Sequence, residues 1–562
     1  MRAGQSLPPV LWPVTVLVCL AFGGLALLLG MDASWDLRNH HFYNGWAFLN
    51  GVVGKDPLVS QIPSFFNPTL DAAYVALAQS LPAWAVGFLL GMVHGLNFPL
   101  LFAIGWRMLE VRNPHRRALA AGALALAGVT GAGGLSLVGT AFHESIVSLG
   151  VLAAVALVVT WWEELADGGL PGAAVLAIAA GVPAGLGFGL KLPTIVLCIG
   201  LSLAFLMANI PLVRRLWLTV WFGIGVLVGL GVGGGHWMAY LWQTYGNPLF
   251  PFLNHIFLSP WGAASSYHDP GFLQPGLVDM ITFGWRFPFD PLLAGEIEFR
   301  DYRILAVITL LPLAALASLL KRDRDPGVIT TPGPTGWLLA AAATTYVAWV
   351  ALLCIYRYLV PLEMLAPLVV VAAIGCLPLP RAARRGLSTA RVAFLAATTL
   401  PGDWLRVPWE DKAVSASVPA VKDPDRTLVL LSGHEPLSFL IPLFPGAEHM
   451  RFLRIDSTFT LADDPGAGFR RLFRDTIDAA PGPIYSLHIV TQEQRDVVHK
   501  LAEYGLELDT GSCLPITSPI GADVYRFCLT RRPGASAPAE EAMPTEPPAD
   551  GSAGSAGSPA EQ

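Results

Sequence analysis

The sequence predicts an all-α polytopic membrane protein of about eleven transmembrane helices with a small C-terminal α/β domain. Three observations predict it. Of 562 residues, 54% are hydrophobic and only 14% charged, against roughly 25% charged in an ordinary soluble protein. Apolar runs of roughly 20 residues, enough to cross a hydrocarbon core of about 30 Å, recur along the first 400 positions. The last third changes character: acids concentrate there, and short β-rich runs alternate with helical patterns, the signature of an α/β unit. The net charge of −6 speaks against a nucleic-acid partner.

In chain order, spans are expected at 10–29, 83–105, 118–138, 145–162, 171–189, 193–210, 216–235, 304–320, 337–355, 360–379 and 388–401. The first has one nearby basic residue, Arg2, and no A-x-A site, so it reads as an uncleaved anchor and not a signal peptide. Short connections carry Arg107, Arg112, Arg116 and Arg117, then Arg214 and Arg215, then Lys321, Arg322 and Arg324, and finally Arg381, Arg384 and Arg385. The long loops 30–82 and 236–303 hold few basic residues for their length. The positive-inside rule therefore places the N-terminus in the cytoplasm and the long loops outside.

An odd number of spans exports residues 403–532. Strand patterns at 427–431, 451–455 and 483–490 alternate there with helical patterns at 468–480 and 492–504. Cys513 and Cys528 would form a disulfide if exported and stay free thiols if cytosolic. The tail 533–562, rich in Pro, Ala, Glu, Gly and Ser, is expected to be disordered. The organisation is thus 1–402 in the membrane, 403–532 as the exported domain, and the tail.

The stretch SWDLRNHHFYNGWAFLNG (34–51) follows the first span directly. With Ser34 as cap, α-helical phase puts Trp35, Phe42, Trp46 and Leu49 on one arc. Asp36, Asn39, His40, Tyr43 and Ala47 share another, and His41 falls between and is set aside. An interfacial anchor, with Asp36 favouring the helix N-terminus, is the simpler account; a polar side facing a cavity is the functional one. Asp36 and His40 at i, i+4 suit a metal, but two ligands do not make a site. The glycines of GLGVGGGHW (229–237) lie inside a span and read as close helix packing, not a nucleotide loop. Asn67 and Asn247 precede prolines and mark turns; SGHEP (432–436) reads as a turn as well.

An uncleaved first span followed by an exported amphipathic helix bearing an acid resembles the GT-C superfamily, polytopic glycosyltransferases that take sugars from polyprenyl-phosphate donors. FFNPTLDAAYVAL (65–77), GLKLPTIVL (189–197) and YGNPLFPFLNHIFLSP (245–260) extend the resemblance, which covers roughly residues 10 to 400 and rests on layout and short loop motifs. It implies that an acid in the first external loop acts as general base toward the acceptor or holds a divalent cation. Asp36 matches that acid, with Asp32 second; Glu144, in GTAFHES (139–145), matches a second acid from the next external loop. Many members show two adjacent acids in the first loop and a D-x-D; here Asp32 and Asp36 stand four apart and no D-x-D follows, which weighs against metal dependence. The sequence names no certain cofactor and leaves metal dependence open; Mg2+ or Mn2+ at Asp36 and Glu144 is the cation the resemblance admits.

A departing lipid phosphate needs cationic stabilisation. Lys191 in FGLKLP, Arg357 in IYRYLVP and, third, Arg303 lie near span ends at the level of the headgroups; snorkelling to water is the alternative for each. His40, Tyr43, Asn39 and Asn67 complete the expected substrate contacts. The implied partners are a polyprenyl-phosphate sugar donor, a lipid, glycan or protein acceptor, and membrane lipid, at the outer face of the cytoplasmic (inner) membrane. A transporter or flippase of a lipid-linked or amphiphilic substrate is the rival reading, and a non-catalytic assembly protein a third.

Overall fold

The computed structural model describes residues 6–534 apart from 266, 268–270, 321–328, 434, 461–467 and 522–523. The expected tail from 535, the basic residues Lys321, Arg322 and Arg324, and His434 of SGHEP lie outside the described residues.

The described chain is mostly helical, and seven helices are long and apolar enough to cross a membrane: Leu11–Leu29, Ala83–Met108, Leu170–Leu190, Leu212–Tyr245, Arg303–Leu320, Pro332–Leu352 and Tyr356–Cys376. Two shorter apolar helices, Glu144–Thr160 and Leu192–Met207, fall on two more of the expected spans. The other two expected spans differ. The run 118–138 is broken, with helix Pro114–Val129 ending before a short helix Ala132–Ser136. At that break the N–H groups of Gly133 and Gly134 both donate to the buried Glu363 carboxylate at 2.9 Å. The run 388–401 belongs to helix Arg381–Thr398, which carries Arg381, Arg384, Arg385 and Arg391 and is amphipathic where a span is uniformly apolar. By length and apolarity, eleven spans are not reached.

Helix Tyr356–Cys376 is buried almost throughout and forms the centre of the bundle; its first turn carries Arg357. Helices Leu170–Leu190 and Leu212–Tyr245 lie along each other through glycines: a Cβ on Gly185 would strike the backbone of Val226, and one on Gly229 the backbone of Val182. This is the close packing expected of the 229–237 glycines. Val213, Val220, Leu227 and Val232 project from the outer face of the long helix and are exposed, as side chains in hydrocarbon would be.

Strand β1 (Met31–Asp32) pairs antiparallel with β2 (Arg406–Val407), joining the end of the first helix to the start of the C-terminal domain. That domain holds β3 (Leu428–Leu431), β4 (Arg451–Arg454), β5 (Ile484–Ile489), β6 (Glu507–Leu508), β7 (Leu514–Ile516) and β8 (Tyr525–Arg531), in the order β4-β3-β5-β8-β6 with β7 also on β8. β3 is parallel to β4 and β5, and β8 is antiparallel to β5. The strand and helix patterns at 427–504 fall on these elements within a few residues. Helix Gly468–Asp478 buries Phe469, Phe473 and Ile477, one apolar stripe at i, i+4, i+8. Cys513 and Cys528 form a disulfide.

The domain shares its core with the first loop. Phe42, Tyr43, Trp46 and Val59 pack in one buried cluster with Leu437, Phe439, Ile441 and Phe452. Lys55 Nζ donates to the carbonyls of Ala447, Glu448 and Met450 at 2.7–3.0 Å. Asp56 beside it accepts from the Phe452 N–H at 2.9 Å and the Tyr43 hydroxyl at 3.0 Å.

Burial pushes the Asp56 carboxyl up to about 6, against the opposing pull of Lys55 and its two hydrogen bonds. The folded protein therefore holds this proton more tightly than the unfolded chain, whose Asp titrates near about 3.9. The resulting stabilisation is full below about pH 4 and is lost as pH rises through about 6. Thermal unfolding across that window is expected to show a falling midpoint in the wild type. In Asp56→Asn, which keeps one acceptor oxygen for the Phe452 N–H and turns an amide N–H toward the Tyr43 hydroxyl, the fall should be flattened; an unchanged profile would remove Asp56 from it.

Candidate active site

The site is built on the start of the first loop. Asp32 Oδ1 accepts from the Ser34 N–H at 2.9 Å and its Oδ2 from the Ala141 N–H at 2.8 Å, so Asp32 fixes the turn and is spent there. Ser34 Oγ accepts from the Leu37 N–H at 3.3 Å, the cap expected of it. The next residues depart from the expected phase: Leu37–His41 form a π turn before the α-helix Phe42–Leu49. A π turn holds one residue more than an α turn, so it rotates the histidines relative to Asp36. The Ser438 hydroxyl, from the C-terminal domain, lies 2.5 Å from the carbonyl of Asn39 within that turn and donates to it. The helix after it then presses on helix Thr69–Ser80 at Gly45, where any Cβ would strike the carbonyl of Asp71.

Asp36, the expected base, meets Arg357 from the start of the central helix: Asp36 Oδ2 to Nη1 is 2.5 Å. The same guanidinium reaches Glu296 through Nη2 and Nε, each at 3.0 Å. The Arg357 guanidinium carbon also lies over the rings of Phe142, Tyr358 and Trp404 at 5.2–5.5 Å, contacts favourable to a cation. Alongside, Lys191 Nζ pairs with Glu144 Oε1 at 2.6 Å and faces the Tyr358 ring at 5.9 Å. Glu144, Lys191, Arg357 and Tyr358 line one small cavity with Pro193, Thr194 and Pro361. Asp36 and Arg357 side chains remain 16% and 12% exposed, so the pair is sheltered but reachable.

Burial alone would raise the Asp36 carboxyl, but the Arg357 guanidinium, with His40 and His41 nearby, holds it below the usual carboxylate range. Glu296 goes the other way: burial raises it, Arg357 opposes, and the charges of Asp36 and Glu144 add to the rise. Two acids on one guanidinium are thus driven apart, a pattern that separates proton acceptor from proton donor. Burial and His41 lower His40 well below the ordinary imidazole range.

A second cluster adjoins the first. His41 Nδ1 lies 2.6 Å from Asp71 Oδ1, and His143 Nε2 lies 3.1 Å from the same oxygen. All three side chains are at least nine-tenths buried. Burial would raise Asp71, yet His41 and His143 hold it below the usual range. The His41 ring stacks obliquely on His40 at 4.0 Å and meets His143 edge-on at 4.6 Å between centroids.

Four residues expected from the sequence therefore converge: Asp36, Glu144, Lys191 and Arg357, with His40 beside them. The others serve elsewhere. Tyr43 donates to Asp56 in the interdomain seam. Asn39 is fully buried, its amide donating to the Ser60 carbonyl at 3.3 Å. Both were expected beside Asp36; the π turn carries them off that face. Asn67 donates to the carbonyls of Gly189 and Gly233 at 2.8 and 2.9 Å, tying two spans together, and caps Thr69. Arg303 is fully buried, paired with Asp301 and donating to Ala127 O and Thr130 O; both of its Nη groups are taken up by the protein, and a phosphate contact there would have to displace those partners.

Glu296, Asp71 and His41 were not expected in the site. Asp71 stands in FFNPTLDAAYVAL, one of the motifs that extend the resemblance, and a lone acid there was the available signal. Glu296 lies in the long loop 236–303 among several acids, where no periodicity picks it out. No protein-family model, curated protein or solved structure matches the chain.

Proposed function

We propose that the protein is a membrane glycosyltransferase that moves a sugar from a polyprenyl-phosphate donor to an acceptor hydroxyl on a lipid, glycan or protein. The observation that carries this reading is the Asp36–Arg357–Glu296 ion-pair set beside Lys191–Glu144. A phosphate is a better bidentate partner for a guanidinium than a lone carboxylate oxygen. A donor phosphate entering between Arg357 and Lys191 takes over their positive charge, and Asp36, relieved of its cation, regains basicity. The acceptor oxygen then attacks the anomeric carbon as its proton passes to Asp36. The bond from that carbon to the phosphate oxygen breaks, its electron pair leaves on the lipid phosphate, and the configuration inverts. Arg357 and Lys191 stabilise that leaving charge.

Glu296, raised by burial, is suited to hold a proton while Asp36 does not. A Mg2+ or Mn2+ at Asp36 and Glu144 would compete with Arg357 and Lys191 for the same oxygens, so the step is written without one. We place the site at the outer face of the cytoplasmic membrane, the N-terminus inside. The pairing of β1 with β2 supports this, because it puts residues 30 and 403 on one side. Six of the seven long apolar helices and both shorter ones lie between them, an even number.

The test is transfer of label from polyprenyl-phosphate hexose and pentose donors to acceptors extracted from membranes, using purified protein. Label in an acceptor product supports the enzyme. No product with any donor, together with movement of the labelled lipid between leaflets of proteoliposomes, replaces it with the flippase reading.

A further inference from the structure

We propose that His41, Asp71 and His143 together bind a transition-metal ion of the Zn2+ class, tying the π turn that follows Asp36 to the helix start that carries Glu144. The inference does not rest on the transfer reading. Two ring nitrogens from distant segments aim at one carboxylate oxygen, His41 Nδ1 at 2.6 Å and His143 Nε2 at 3.1 Å. The second of these makes no hydrogen bond despite its distance and is buried. The far nitrogen of His41, Nε2, is also buried without a partner. Hydrogen bonding within the cluster therefore leaves its histidines incompletely satisfied, a cost that buried polar groups rarely carry without a reason.

Two imidazoles and a carboxylate are a common donor set for Zn2+ with one position left open. Tetrahedral bonds of about 2.0–2.1 Å separate the ligand atoms by about 3.3 Å, so the contacts here need to open by well under an ångström. Nitrogen donors also select against Mg2+, which prefers oxygen. Asp36, His40 and His41 form an overlapping group whose ligand atoms lie within 4.8 Å of one another. Asp36 is already committed to Arg357 at 2.5 Å, whereas Asp71 faces only the two histidines among its ion-pair contacts in the described residues. That difference favours Asp71 as the carboxylate ligand.

The full-length protein, purified in detergent, stripped with chelator, incubated with Zn2+ and desalted, is expected to retain about one ion per chain by mass spectrometry. Asp71→Asn and His143→Ala should bind at least roughly tenfold more weakly; Asp36→Asn and His40→Ala should bind as the wild type does. Added Zn2+ should raise the thermal midpoint of the wild type and not that of His143→Ala. His143→Cys, which supplies a thiolate ligand, should restore uptake, which a mere packing role would not. Absence of uptake by the wild type overturns the proposal, as does undiminished uptake by His143→Ala. Loss of the ion in Asp36→Asn moves the site to the neighbouring group and overturns the assignment to Asp71.

Discussion

Asp36→Asn is expected to lower the rate of sugar transfer by about 10²–10⁴-fold, the usual contribution of a positioned general base. The substitution keeps the shape of the side chain and an acceptor oxygen for Arg357 but removes the charge that takes the proton. Arg357 is not orphaned, because Glu296 still holds it through two nitrogens at 3.0 Å. The fold should therefore survive with a loss of only about 1.5–3 kcal/mol, the scale of one charged hydrogen bond. The kinetic signature separates a base from an anchor. A lost base lowers kcat and leaves the KM for donor unchanged or lower, since the weakened Asp36 pair frees Arg357 for phosphate. A lost anchor raises KM with little change in kcat. Initial rates at saturating and limiting donor decide between them, and a wild-type kcat in Asp36→Asn would remove it from the chemistry.

What the sequence revealed about this site follows from how few charges a bundle of apolar helices tolerates. Lys191 and Arg357 stand out because a charge at a span end is costly unless it is paired or near water. The alternation of short basic and long loops indicates which ends share a side. That logic placed Lys191 and Arg357 at the external span ends, while Asp36 and Glu144 were matched to the site through the GT-C resemblance. It failed where local geometry depends on distant contacts. His41 was dismissed on an α-helical wheel, and the wheel does not apply across the π turn Leu37–His41. That turn is held in part by Ser438, about 400 residues away, so nothing within 34–51 announces it. Arg303 shows the opposite error, since its partner Asp301 stood two residues away in plain view. In the C-terminal domain, strand and helix patterns were legible because each apolar stripe lies within one element. The shared core with the first loop was not, because Lys55 and Asp56 carry no periodic pattern that points to β4.

Arg357→Met tests the other half of the mechanism and carries the larger structural risk. It removes the cation from Asp36 and Glu296 together and leaves two mostly buried carboxylates facing each other. Removing one partner of a buried pair costs about 3–5 kcal/mol, so the variant should be strongly destabilised as well as inactive. Inactivity alone would then say nothing about catalysis, and the pairing must be separated from the chemistry. Neutralising both acids, as Asp36→Asn with Glu296→Gln on the Arg357→Met background, eliminates the repulsion and is expected to recover most of the lost stability. The interaction energy in such a cycle isolates the ion-pair set from general packing. Arg357→Lys is the sharper probe of donor binding. It keeps a charge near Asp36 and most of the stability, but a single ammonium cannot hold a phosphate and Glu296 with a planar fork. Its donor KM should rise well above that of the wild type while thermal unfolding changes little. If Arg357→Lys binds donor as tightly as the wild type, the phosphate is held elsewhere, and the partner exchange that frees Asp36 does not occur.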